Sequence, residues 1–285
     1  MTALSLLSLL DQHPGTPVTL LADEATARGV AAAGGPLARH VRLQAVPGHD
    51  GGDATATSRS IKTRLRELVE GDVLFLDADT LVLRPIEAAL VRSRAVRLAY
   101  DRYRPRGGPA LQLSGWVEDL LGKARWPRPA AYYNSGVIWL PDSAQARQLC
   151  GKWRRLWLEG RALGTWKDQP SLNVALHHSG TVEPLPPEHN VHPYSAPQHL
   201  RRSRILHFWV TTGINLQRPA TLLEHLVAEF RAGGSFDRAA IERARRRNFP
   251  WVRPRGIRAA LEARAWGEAT QSVLRRLLRT ILGDR

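Results

Sequence analysis

The stretch Gly71-Asp-Val-Leu-Phe-Leu-Asp-Ala-Asp-Thr-Leu-Val82 decides how the chain is read. Val73 to Leu76 form an unbroken apolar run behind a glycine, which predicts a strand buried on both faces. In extended backbone, residues two apart point the same way. Asp77 and Asp79 are therefore expected to project together from the C-terminal end of that strand. In open α/β sheets, ligands bind at that edge. Two hard carboxylates suit a divalent cation such as Mg²⁺ or Mn²⁺, which keeps further positions for water or phosphate. Taken alone, Asp-x-Asp fits a turn or a solvated strand end equally well.

Working outward, Ser58 is expected to cap a helix whose Ile61, Leu65 and Leu68 share one face and which Gly71 stops. Arg59, Lys62, Arg64 and Arg66 on this helix read as mostly solvated. Upstream, residues 17–22 and 41–46 read as strands around a helix over 24–33, and 47–57 as a loop. Strand, helix, strand is the local order, which predicts a right-handed crossover and a parallel sheet. Residues 1–10 are apolar but lack a basic leading segment and a cleavage pattern. They read as a short amphipathic helix inside the fold.

Downstream, a helix is expected over 85–92 and a strand over 95–100. Residues 102–131 read as irregular around a short helix at 114–121. A strand over 132–140 is interrupted by Asn134-Ser135-Gly136. A helix follows over 143–159, another opens at Asp168-Gln169 and runs to Leu176, and short strands lie near 181–183 and 204–208. From Pro219 three helices are expected, over 219–232, 235–247 and 256–282.

The 285 residues, 43% of them apolar, allow a sizeable core, and the single cysteine, Cys150, excludes an intramolecular disulfide. No run approaches the roughly 18 apolar residues of a membrane-spanning helix. The net charge of +15, almost all from arginine, implies anionic partners such as nucleotides or phospholipid surfaces. Zinc-finger spacing and RNA-binding signatures are missing, so specific nucleic-acid recognition is not expected. A cytoplasmic protein is expected.

Six elements follow one another between residues 58 and 208. They are Thr63-Arg64-Leu65, Asp77-Ala78-Asp79, Tyr132-Tyr133-Asn134-Ser135-Gly136, Asp168-Gln169-x-x-Leu172-Asn173, Glu188-His189-Asn190 and Ile205-Leu206-His207-Phe208. Together they resemble the family 8 retaining glycosyltransferases of the glycogenin and lipopolysaccharide galactosyl- and glucosyltransferase type. The resemblance implies a GT-A fold, a Rossmann-like mixed and mainly parallel sheet flanked by helices. Residues 1–234 would be the catalytic domain and 235–285 a basic helical extension. The implied activity is metal-dependent transfer of a hexose from a UDP-sugar, with retention, to a saccharide, lipid-linked or protein acceptor. It implies Mn²⁺ or Mg²⁺ on Asp77, Asp79 and His207. It places the donor against Arg64, Asp77, Ala78, Asp79, Asn134, Ser135, Gly136, Asp168 and Gln169, the last two also catalytic.

The chain departs from this pattern in two places. No lysine closely follows His207, where the family would grip the diphosphate, so either an arginine such as Arg218 substitutes or activity is weakened. The family also opens with a strand ahead of the helix over 2–10, and this chain is expected to start after that strand.

Other readings stay open at this point. His207 fits a satisfied core histidine, Arg64 a solvated cation or the partner of an acidic neighbour, Asn134 a strand break, and Asp168 a helix cap. Leu-Asp77-Ala-Asp79-Thr80 also resembles the nucleophile strand of haloacid-dehalogenase-type phosphatases, with Asp77 attacking and Asp79 as acid and base. A decayed GT-A domain that binds nucleotide without turnover is a further alternative. The helix over 256–282 either docks on an anionic membrane surface or packs on the catalytic domain.

Overall fold

The computed structural model describes residues 2–48, 53–88, 90–101, 111, 113–177, 179, 182–192, 199, 202–208, 228–232, 239, 270, 273 and 274. They belong to two compact units. One comprises Met1–Pro14, Asp77–Ile86 and Pro186–Arg285, the other Gly15–Leu76 and Glu87–Leu185.

In the second unit, short polar residues set the element boundaries. Strand β1 (Thr19–Asp23) ends on Asp23, whose carboxylate accepts the Thr26 amide and so starts helix α2 (Glu24–Ala33). Gly34, at φ 60°, closes that helix. Helix α3 (Pro36–His40) leads into β2 (Arg42–Val46), which pairs parallel with β1. Helix α4 (Ala54–Thr63) is capped five residues before the expected Ser58, because Asp53 takes the cap by accepting the Thr55 amide at 2.9 Å. Arg64 breaks the helix, and a single turn, α5 (Leu65–Leu68), follows.

The anchoring strand β3 (Val73–Leu76) forms where expected, but all four residues are half-buried. The reason is its position at one end of a four-stranded sheet. With β5 (Val96–Tyr100), β6 (Tyr133–Leu140) and β7 (Val182–Pro184) the order is β3-β6-β5-β7. β6 runs antiparallel to both neighbours, and β5 and β7 are parallel. The α/β class with a mixed sheet thus holds, while the parallel ladder expected for β3 is replaced by an antiparallel one. Among the described residues of 85–92 there is a 3-10 turn at Leu90–Arg92 in place of the expected helix.

β6 is continuous, against the expected interruption, and all eight of its residues are buried. Its polar residues are satisfied from a helix. After α6 (Gly115–Ala124) and α7 (Ala144–Ala162), capped by Ser143, helix α8 (Gln169–His177) lies against β6. Asn173 on α8 accepts the Tyr133 amide at 2.6 Å and donates to the Tyr133 carbonyl at 2.9 Å, standing in for a strand rung. The core between sheet and helices gathers Leu65, Leu98, Ile138, Leu140, Leu149, Trp153 and Leu172. Burial pushes the Cys150 thiol in this core up to about 12, so it stays protonated.

The first unit is built on a two-stranded antiparallel ladder, β4 (Thr80–Val82) with β8 (Ile205–His207). Val191 bridges the other side of β8. The N-terminal segment forms helix α1 (Thr2–Gln12), and its serines serve the ladder. Ser8 Oγ accepts the Val82 amide at 2.9 Å, Ser5 Oγ lies 3.1 Å from Thr80 Oγ1, and His13 Nε2 accepts the Ile86 amide.

The boundary expected at residue 234 and the helices over 235–247 and 256–282 fall largely outside the described residues, as do Arg218 and the segment after Phe208. Among the described residues no helix is long and apolar enough to cross a membrane.

Candidate metal centre and a buried carboxylate site

Asp77 and Asp79 do come together, but through a turn rather than strand alternation. The Thr80 amide and hydroxyl both donate to the Asp77 carbonyl, at 3.2 and 2.8 Å, folding Asp77-Ala78-Asp79 tightly ahead of β4. Ala78 is exposed at its tip. In the β4–β8 register Thr80 stands opposite His207, and the Phe208 amide donates to the Asp79 carbonyl at 2.9 Å. The ladder therefore carries the imidazole to the carboxylates. His207 Nε2 lies 3.3 Å from Asp79 Oδ1 and 3.8 Å from Asp77 Oδ2. One ligand atom from each residue lies within 4.8 Å of the other two.

The donor chemistry fits a divalent cation. Ligand atoms about 2.1 Å from an ion sit about 3 Å apart when adjacent in its octahedron. Two carboxylates and an imidazole suit Mn²⁺ or Mg²⁺ more than a soft ion. His207 is also oriented for ligation. Its Nδ1 lies 3.0 Å from Asn190 Oδ1, and a hydrogen donated there leaves the Nε2 lone pair for the carboxylate side. Asn190 follows a 3-10 turn at Pro187–His189, and the Val191 and His207 amides then stitch this segment to β8. The buried His192 ring stands edge-on to His207, 5.0 Å between centroids. Burial, then the neighbouring His207, push His192 down to about 3 against the pull of Asp79, so it stays neutral.

The second unit holds Asn134, Ser135, Gly136, Asp168 and Gln169 together. Asp168 is buried, with Arg59 Nε 3.3 Å from one carboxylate oxygen and Lys62 Nζ 3.6 Å from the other. Burial raises the cost of its charge, but Lys62 and then Arg59 outweigh it and hold the carboxyl below the ordinary range. Lys62 also donates to Ser135 Oγ at 3.2 Å. Gln169 Oε1 accepts from Asn134 Nδ2 and the Ser135 amide, at 3.2 and 3.3 Å, while Asn134 Nδ2 reaches Asp101 Oδ1 at 3.1 Å. With its oxygen so occupied, Gln169 has Nε2 as its remaining donor. Gly136 donates its amide to Asn134 Oδ1 at 2.7 Å.

Two expectations change here. Lys62, expected to be solvated, is buried, because Asp168 and the Phe75 ring, 5.0 Å from its Nζ, receive it. Arg64 is not gathered into this group. It holds an acidic neighbour instead, with Nε 3.0 Å from Glu67, which also takes Arg154. Lys62, Arg59, Asp101 and His192 were not singled out from the sequence. The spacing of Arg59 and Lys62, one helical turn apart, was the available signal for a shared partner.

No family model and no curated protein matches the chain. Solved structures that align with it include two glycosyltransferases. Mouse xyloside xylosyltransferase 1, in its apo form, aligns with a TM-score of 0.46 and 13% identity over 75% of this chain and 93% of that one. The apo structure of the bifunctional glycosyltransferase WbbM aligns with a TM-score of 0.46 and 15% identity, over 74% of this chain and 44% of that one.

Proposed function

We propose that the chain is a metal-dependent glycosyltransferase that moves a hexose from a UDP-sugar to a saccharide, lipid-linked or protein acceptor with retention. The observation that carries this reading is the convergence of Asp77, Asp79 and His207, with ligand atoms within 4.8 Å. The ordered motifs over residues 58 to 208 support it.

A bound Mn²⁺ or Mg²⁺ supplies positive charge to the donor diphosphate as the glycosidic bond breaks. Asp77, Asp79 and His207 would hold the ion, with Asn190 fixing the imidazole. Asp168, kept ionised by Lys62 and Arg59, offers an acceptor to a sugar hydroxyl, and Gln169 offers its amide N–H groups. The acceptor hydroxyl attacks from the face that the diphosphate leaves, and the departing phosphate takes its proton. No second carboxylate is assigned to the reacting carbon, so the two-carboxylate scheme of glycosidases is not invoked. The phosphatase alternative gives no role to His207 or to the Asp168 cluster.

The test is calorimetric titration of UDP, with and without Mn²⁺, into wild type and Asp79→Ala. Metal-dependent binding that disappears in the variant is expected. No binding to a folded wild-type protein sinks the reading, and a Mg²⁺-dependent phosphatase assay then follows. Inversion of the anomeric centre in the product, read by NMR, would sink retention alone. A cytoplasmic setting, with the segment expected to be helical over 256–282 on an anionic membrane, belongs to the same proposal. Equal co-sedimentation with anionic and neutral liposomes removes the membrane contact.

A further inference from the structure

Six large apolar side chains stand exposed among the described residues, and four of them, Trp116, Leu158, Leu163 and Trp166, belong to the second unit. The two tryptophans are linked by a cation. Lys167 Nζ lies 4.5 Å from the Trp116 ring centroid and 5.4 Å from that of Trp166. Both distances fall within the range of an ammonium held by aromatic faces. Neither indole N–H has a protein partner among the described residues. Two exposed indoles gathered about one ammonium form a patch rather than scattered single residues, and such patches mark binding sites.

The platform is also fixed in place. Gly164, at φ 89°, turns the chain out of α7, and its amide returns to the Arg161 carbonyl. The Thr165 amide donates to the Gly160 carbonyl at 3.0 Å, over a glycine where an added Cβ would meet Thr165 Cγ2 at 3.0 Å and Trp126 at 3.2 Å. Trp157 donates to the Trp166 carbonyl at 3.5 Å, and Trp153 to the Asp168 carbonyl at 2.9 Å. The residues from Trp166 to Gln169 are thus one pinned segment, carrying the exposed ring, the ammonium, the buried carboxylate and the amide in succession.

We propose that Trp116, Trp166 and Lys167 form a saccharide-binding platform, the acceptor subsite that serves Asp168 and Gln169. The assignment to the acceptor rests on the glycosyltransferase reading above. The chemistry favours a sugar over a protein partner. Protein interfaces deplete charge at their centres, and here an ammonium sits between the two rings. A pyranose presents C–H groups to an indole face and hydroxyls at its rim. Lys167 and the two indole N–H groups supply donors for those hydroxyls.

The test uses the full-length chain, fluorescently labelled, on an array of immobilised hexose and pentose oligosaccharides. Binding to a subset of the array is expected, falling about tenfold in Trp116→Ala and in Trp166→Ala. Phe at either position should restore most of it, since the ring face returns. Trp116 is 43% and Trp166 41% exposed, so the alanine variants should fold, as circular dichroism and thermal melting will report. No saccharide bound by wild type, or binding undiminished in both alanine variants, overturns the proposal. Asp79→Ala, run in parallel, separates the two readings. It should lose Mn²⁺-dependent UDP binding and keep its array signal. Loss of the array signal in this variant, with its fold intact, overturns the placement of the platform on Trp116, Trp166 and Lys167.

Discussion

Asp79 and Asp168 are both carboxylates at a candidate site, yet their surroundings differ in kind. Asp79 and its neighbour Asp77 face an imidazole nitrogen, a ligand that gives electrons. Asp168 faces an ammonium and a guanidinium, both supplied by α4. The first arrangement gathers electron-pair donors that suit a divalent cation, whereas in the second two cations of the chain already meet the carboxylate. Substitutions at the metal centre should therefore change binding while sparing the fold, whereas substitutions around Asp168 should change the fold first.

The largest effect sharpens the first half of that comparison. Asp79→Ala should weaken Mn²⁺ binding by on the order of a thousandfold, since a hard ion loses one of two carboxylates. Its metal-free melting temperature should hold or rise, because two close carboxylates become one. A clear drop in melting temperature would break the comparison. Calorimetric Mn²⁺ titration and differential scanning calorimetry read the two quantities.

Lys62→Met tests the other half. It keeps most of the stem volume but leaves Asp168 buried with one cation fewer, a loss of about 3 kcal/mol by urea denaturation. The same pair carries a pH signature. The Asp168 carboxyl is held low in the folded chain by Lys62 and Arg59 against burial, while an unfolded aspartate titrates near ~3.9. Between those values the unfolded chain takes up a proton that the folded chain refuses. This contribution is therefore present above about pH 4 and is lost as pH falls through the folded value. Lys62→Met should flatten that acid limb, and an unchanged slope would show that Lys62 does not hold Asp168 ionised.

Asn190→Ala should weaken Mn²⁺ affinity by roughly tenfold to a hundredfold, the usual effect of losing a group that orients a ligating imidazole. No change in a titration would detach Asn190 from the metal centre. The smallest effect is expected from Asp53→Ala, about 1 kcal/mol of stability from the lost cap of α4, with Mn²⁺ affinity unaltered.

Much of this was legible because the informative residues lie close together in sequence. The closeness of Asp77 and Asp79, the Asp168-Gln169 helix start and the helix over 24–33 are each encoded within a few positions. What could not be read depended on distant partners. Lys62 looks like any helix cation until Asp168, far along the chain, arrives to bury it. Asn134-Ser135-Gly136 looks like a strand break until Gln169 supplies the missing hydrogen bonds to it. The half-burial of β3 follows from its place at one end of a sheet, which local hydrophobicity does not encode. The Asp77–Asp79 pairing was anticipated with a different cause, since a turn and an extended strand both bring residues two apart to one side.

The β4–β8 ladder places Thr80 opposite His207 and ties the Phe208 amide to the Asp79 carbonyl. Its two strands lie far apart in sequence, so the three ligands meet only when this ladder has zipped. An ion that prefers the assembled ligands then acts as a clasp on it. Free metal at a hundred times its dissociation constant adds about 2.7 kcal/mol against opening. Amide hydrogen exchange at His207 and Phe208 should slow with each increment of Mn²⁺ and quicken on chelation, making the exchange rate of two backbone protons a gauge of the ion.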